Sequence, residues 1–179
     1  MPDTPQPSED PQEPLRPDGD PTEHSRWRPL RRLLAAMDDE IAKLYAERGV
    51  RGVRPRFAMP LIRLARSGGT MTIRELADSI EVTHSAMSQT IGAMRRENLV
   101  GTRPGADART RLVALTERGR ELVPFLEAEW RATERALAEL EDEIPYPLTR
   151  VVRDIEQALA ERPFRDRVAA GLTDVRPPS

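Results

Sequence analysis

Between Thr72 and Gly119, two short amphipathic segments separated by a tight turn run directly into a pair of β-compatible stretches. Few folds admit that order. Thr72-Ile73-Arg74-Glu75 has the form of a capping box, in which a threonine hydroxyl and a glutamate carboxylate satisfy the free amides of a helix start. The helix that follows turns Leu76, Ala77 and Ile80 inward. Glu81-Val82 makes the turn, and Thr83 caps a second helix that buries Met87, Ile91 and Met94 and closes near Asn98, a residue that tolerates left-handed backbone. Leu99 to Arg103 and Arg111 to Leu115 then pair as a hairpin across Pro104-Gly105-Ala106-Asp107-Ala108. A helix shaped to enter a major groove, beside an arginine-tipped hairpin able to reach a minor groove, points to a reader of double-stranded DNA.

The remaining chain supports that unit from outside. Residues 1–24 hold seven prolines and seven acids with Leu15 as the one apolar anchor, and the spacing predicts a disordered acidic tail. Residues 25–50 form an N-terminal helix striped by Leu30, Leu33, Leu34, Met37, Ile41, Leu44 and Tyr45. Residues 51–118 hold the reader, entered through a helix from Pro55 that contains Phe57, Leu61, Ile62 and Leu64. Residues 119–172 form further helices: one capped by Thr116, with Leu122, Leu126, Trp130, Leu137, Leu140 and Ile144 at near-heptad spacing, a second after Pro145-Tyr146-Pro147 with Leu148, Val151, Val152, Ile155 and Leu159, and a short third from Phe164 to Ala170. Residues 173–179 are a tail. The fold class expected is mainly α with a small β-hairpin wing: a winged helix-turn-helix flanked by N- and C-terminal dimerisation helices.

Charge follows the same division. Residues 51 to 120 carry thirteen arginines against six acids, a net of +7, which leaves −9 for the rest of a chain whose formal charge is −2. Phosphate attraction depends on local potential, so a basic middle between acidic ends suits a nucleic-acid footprint. With no cysteine, disulfide and thiol chemistry are excluded, and with only His24 and His84 a zinc site lacks its usual ligands, so neither a metal nor a cofactor is expected. No phosphate loop, paired nucleophile or metal-spaced acid cluster argues for an enzyme. No apolar run long enough to span a bilayer and no signal peptide is legible, so a cytoplasmic protein with no membrane partner is expected.

The stretch TMTIRELADSIEVTHSAMSQTIGAMRRENLVGTRPGADARTRLVALTERG resembles the winged-helix core of the MarR family of bacterial transcriptional regulators. The family's wing signature, an aspartate, any residue, an arginine, then a β run ending in Leu-Thr and a glycine, is met by Asp107, Arg109, Val113, Leu115, Thr116 and Gly119. Ala108 and Gly105 stand where the family often carries further arginine or aspartate. The resemblance spans residues 27 to about 160 and implies a homodimer whose terminal helices interlock, leaving two reader lobes to straddle a pseudo-palindromic operator. It further implies a small-molecule effector of unknown identity, with Trp130 and Tyr45 either lining its cleft or, as large aromatics at helical spacing more often do, serving core or interface; the regulator is then a repressor relieved by the effector, or alternatively an activator. The apolar stripes agree independently, since such faces on a monomer normally mark an interface. Leu30, Leu34, Met37, Ile41, Trp130, Leu137, Val152, Ile155 and Leu159 are the expected dimer contacts.

Thr83, His84, Ser85, Ser88 and Gln89 occupy the outward side of the second reader helix, small and polar enough for close approach, with Ser85, Ser88 and Gln89 as base-edge candidates. The bland alternative is a solvated helix face. Arg95, Arg96, Arg103 and Arg111 are assigned to phosphate, which supplies affinity without sequence information. At the wing tip Arg109 enters the minor groove with Asp107 orienting it; the bland alternative there is an exposed ion pair worth about 0–1 kcal/mol. The competing function is a winged-helix protein-interaction or assembly module without sequence-specific DNA binding.

Overall fold

In the computed structural model, residues 20, 22, 25–105 and 111–172 are described. Apart from Asp20 and Thr22, the expected acidic tail lies outside those residues, as do the wing-tip pair Asp107 and Arg109 and His24. The chain divides at Pro55/Arg56 into two compact units.

The first unit holds one described helix, α1 (Arg28–Glu47), entered through Pro29 in its first turn. Its apolar side is mostly open: Leu33 and Leu34 are exposed, Leu30, Met37 and Ile41 half-buried, and only Tyr45 is buried.

The second unit carries the core. A single 3-10 turn (Pro55–Phe57) leads into α2 (Ala58–Arg66), where Pro60 is the third residue, so its missing amide costs no intrahelical bond. Strand β1 (Thr70–Thr72) precedes α3 (Ile73–Ser79) and α4 (His84–Arg96); strands β2 (Val100–Pro104) and β3 (Arg111–Leu115) follow. The sequence reading anticipated only the β2–β3 hairpin, whereas the sheet has three antiparallel strands in the order β1-β3-β2. Thr70, Met71 and Thr72 lie opposite Ala114, Val113 and Leu112. One apolar residue in three gives no alternation to read, and the strand exists because β3 would otherwise present an unpaired edge.

Phe57, Leu61, Leu64, Leu76, Met87, Met94, Leu99, Val113 and Leu126 are essentially inaccessible and form the centre of this unit. α2 packs on α3, β3 and the first half of α5 (Glu117–Glu143), and α3 packs on α4. Arg66 ties α2 to α5 through Glu127, with Nη2 2.6 Å from its carboxylate, and Arg131 reaches the same carboxylate at 3.3 Å.

Beyond Trp130 the exposure of α5 changes. Trp130 and Leu137 are half-buried while Leu140 and Ile144 are exposed. α6 (Leu148–Glu161) and α7 (Phe164–Gly171) bury no residue at all. Glu141 clasps the α5–α6 turn, accepting from both the amide and the hydroxyl of Thr149 at 2.7 Å; those bonds, the hydroxyl's first, hold its carboxyl below the usual glutamate range. No described helix is long and apolar enough to cross a membrane.

Candidate nucleic-acid interface

The helix-turn-helix is assembled by caps. Thr72 Oγ1 accepts from the Glu75 amide at 3.1 Å while the Glu75 carboxylate accepts from the Thr72 amide at 2.8 Å, completing the expected capping box. The Thr72 amide, and after it the Thr72 hydroxyl donating to the same carboxylate at 2.9 Å, hold the Glu75 carboxyl below the ordinary glutamate range. The chain then turns through Glu81, whose φ of 58° is left-handed, and Thr83 caps α4 by accepting from the Ala86 amide at 3.2 Å. Thr83 thus has a local structural role in addition to its place on the presented face.

α4 is divided cleanly along its length. Met87, Ile91, Ala93 and Met94 are buried, whereas His84, Ser85, Ala86, Ser88, Gln89, Gly92, Arg95 and Arg96 are exposed. The expected base-edge candidates Ser85, Ser88 and Gln89 share that open side with Gly92, where an added Cβ would meet nothing within 4 Å. Arg95 and Arg96 fall in the last turn of α4, and Arg96 Nε leans back to the Gly92 carbonyl at 3.4 Å.

On the wing, Arg103 is opposite Leu112 and Arg111 opposite Pro104. Side chains alternate across a strand, so the two exposed arginines occupy opposite faces of the ribbon rather than one. The tip that joins them lies outside the described residues, and with it Asp107 and Arg109. Among the expected effector-lining residues, Tyr45 is buried and Trp130 half-buried. The described residues include no cluster of three or more histidine, cysteine or acidic side chains placed to hold a metal.

Of the thirteen arginines in the basic middle, the sequence reading assigned five to DNA and left the rest unassigned; the structure gives three of those a partner within the chain. Arg66 pairs with Glu127, Arg118 donates to the Glu97 carbonyl at 2.6 Å, and Arg120 donates to the Leu115 carbonyl at 2.8 Å. All three are bonded within the chain, although Arg66 and Arg120 remain exposed and only Arg118 is part-buried. One signal was available for Arg118 and Arg120: both lie in the first turn of a helix, just after a strand end, where backbone carbonyls converge. Arg74, in the first turn of α3 and exposed, is a further cation on the helix-turn-helix that the sequence reading left unassigned.

A protein-family profile described as a winged helix DNA-binding domain matches residues 57–119. Among solved structures, the chain is similar to the Staphylococcus aureus MepR–DNA complex at 15% identity, covering 77% of this chain and 98% of that one with a TM-score of 0.57. It is similar to the Mycobacterium tuberculosis regulator MosR, also solved with DNA, at 25% identity, covering 78% and 99% with a TM-score of 0.53. A MarR family transcriptional regulator from Silicibacter pomeroyi shares 30% identity over 73% of this chain and 93% of its own, with a TM-score of 0.46. No curated protein matches the sequence.

Proposed function

We propose that the chain is a winged-helix transcriptional regulator of the MarR family that works as a homodimer reading a pseudo-palindromic operator, a reading supported by the winged-helix profile over residues 57–119 and by the fold shared with a regulator solved on DNA. The observation that carries the reading is the division of α4: one side locked into the core by Met87, Ile91 and Met94, the other small, polar and open. α4 is then the recognition helix. Ser85, Ser88 and Gln89 meet base edges, glutamine pairing bidentately with adenine where it can. Arg95, Arg96, Arg103 and Arg111 meet phosphate, and the opposite-face placement of the last two suits a ribbon lying between the two backbones of a minor groove. Arg109, oriented by Asp107, is assigned to the groove floor. The dimer is expected through the terminal helices, with half-sites about 34 Å apart, one turn of DNA. The sign expected is repression, lifted by a small effector. No enzymatic role is assigned, in keeping with relatives that are regulators.

Selection of bound sequences from random DNA, followed by gel-shift titration at several salt concentrations, tests this reading. A single enriched palindromic motif with steeply salt-dependent affinity is expected. Absence of saturable, salt-sensitive binding to any selected sequence overturns it in favour of the assembly module. Two substitutions refine the roles. Gln89→Ala is expected to change which bases are preferred at one position per half-site, costing about 1–3 kcal/mol on the selected sequence; a uniform loss over all sequences makes Gln89 a backbone contact instead. Arg109→Ala is expected to weaken operator binding with the sedimentation profile unchanged, and a shift to monomer contradicts its assignment to the wing.

A further inference from the structure

We propose that the first turn of α5 is a clasp fixing the recognition helix to the dimerisation end of the molecule, with Arg118 as its positioning residue; this rests on the dimeric operator reading above. The end of α4 offers three successive carbonyls, Glu97, Asn98 and Leu99, and the start of α5 engages all of them. Arg118 Nη1 donates to Glu97 O at 2.6 Å, at the negative end of the α4 dipole. Thr116 Oγ1 lies 2.7 Å from Asn98 O and 3.0 Å from Leu99 O, and the Thr116 amide donates to Leu99 O at 3.1 Å. The backbone itself closes the joint, since an added Cβ at Gly119 would stand 2.1 Å from Leu99 O. Asn98 makes this possible by turning left-handed, with φ 55°. Arg118 is part-buried in this arrangement and is not one of the exposed cations.

The consequence follows from leverage. α5 runs 27 residues from this joint to the exposed apolar positions Leu140 and Ile144. Because α2 holds the first half of α5, the free arm runs from Trp130 to Ile144, about 20 Å at 1.5 Å per residue, and a tilt of about 10° moves its end by about 3.5 Å. One base pair advances about 3.4 Å along the duplex. A loose clasp therefore blurs half-site spacing before it affects the contacts made within either half-site.

The test uses full-length protein and duplexes carrying the motif it selects, at the selected spacing and with one base pair inserted or removed at the centre. Wild type is expected to lose about tenfold in affinity, the scale of one badly met base pair, on either change. In Arg118→Met, which keeps the aliphatic stem, the penalty is expected to fall to about threefold or less, while half-site affinity and salt slope stay as in wild type. Arg118→Lys, with one donor for the same carbonyl, is expected to recover part of the discrimination. An unchanged penalty in Arg118→Met overturns the clasp and leaves the dimeric reading standing, and so does a salt slope reduced by about one, which makes Arg118 a phosphate contact. Wild type indifferent to spacing overturns both together. If Arg118→Met does not fold, Arg118→Gln, too short to reach Glu97, carries the same comparison.

Discussion

Gly119→Ala is expected to lower the stability of the winged unit by about 3 kcal/mol, because the new methyl cannot be placed without moving backbone. Its Cβ would sit 2.1 Å from the Leu99 carbonyl oxygen and 3.1 Å from the carbonyl carbon, with Leu115 Cδ2 at 3.3 Å. A flexible side chain can yield by a few tenths of an ångström; a carbonyl already accepting from the Thr116 amide and hydroxyl cannot yield without breaking those bonds. The loss therefore adds weakened hydrogen bonds to the overlap, and a thermal melt followed by circular dichroism should show a midpoint lower by about 6–12 °C. Gly101→Ala is the control, since a Cβ there meets nothing within 4 Å. A Gly119→Ala midpoint equal to that of Gly101→Ala means that α5 can slide away from Leu99, and the close approach is then not a constraint on the fold.

The same glycine shows where sequence reading succeeds. Gly119 entered as the last position of a wing signature, and the structure supplies the reason a glycine stands there: two backbones meet with no room for a side chain. The capping box at Thr72 and Glu75, the turn before Thr83 and the left-handed Asn98 were legible for a similar reason, since each is a local solution to unsatisfied backbone groups and depends on residues within a few positions. Strand β1 was not legible because its pairing is distant: Thr70 to Thr72 lie beside Leu112 to Ala114, and of the three only Thr72, the N-cap of α3, has a local reason to be extended. The roles of Arg66, Arg118 and Arg120 were hidden likewise, since a count of arginines cannot show which guanidinium is bonded to Glu127, Glu97 or Leu115. The outward face of α4 lay between these cases. Its period separates buried Met87, Ile91 and Met94 from exposed Ser85, Ser88 and Gln89, but the identity of what that face meets is not a property of the period.

Replacing Leu148 and Val152 together by glutamate is expected to convert the protein to a monomer while leaving the winged unit folded. The two residues are one helical turn apart on α6, 41% and 45% exposed, and no residue of that helix is buried. Carboxylates there cost the isolated chain little, because water already reaches both positions and glutamate is a good helix former. In a dimer the same carboxylates are carried into an apolar seam, where an unpaired charge is strongly disfavoured. Sedimentation velocity should therefore show a single monomeric species with helical content and melting midpoint near wild type. Affinity for a duplex with two half-sites should fall by roughly a hundredfold or more, since the second contact is no longer tethered to the first, while affinity for a single half-site should hardly change. Leu126→Glu supplies the contrast: Leu126 is fully buried against the α2 side of the core, so the same charge there should unfold the unit outright. A double variant that remains dimeric removes α6 from the interface. One that loses its melting transition shows that Leu148 and Val152 support their own chain, and the exposed stripe then does not serve assembly.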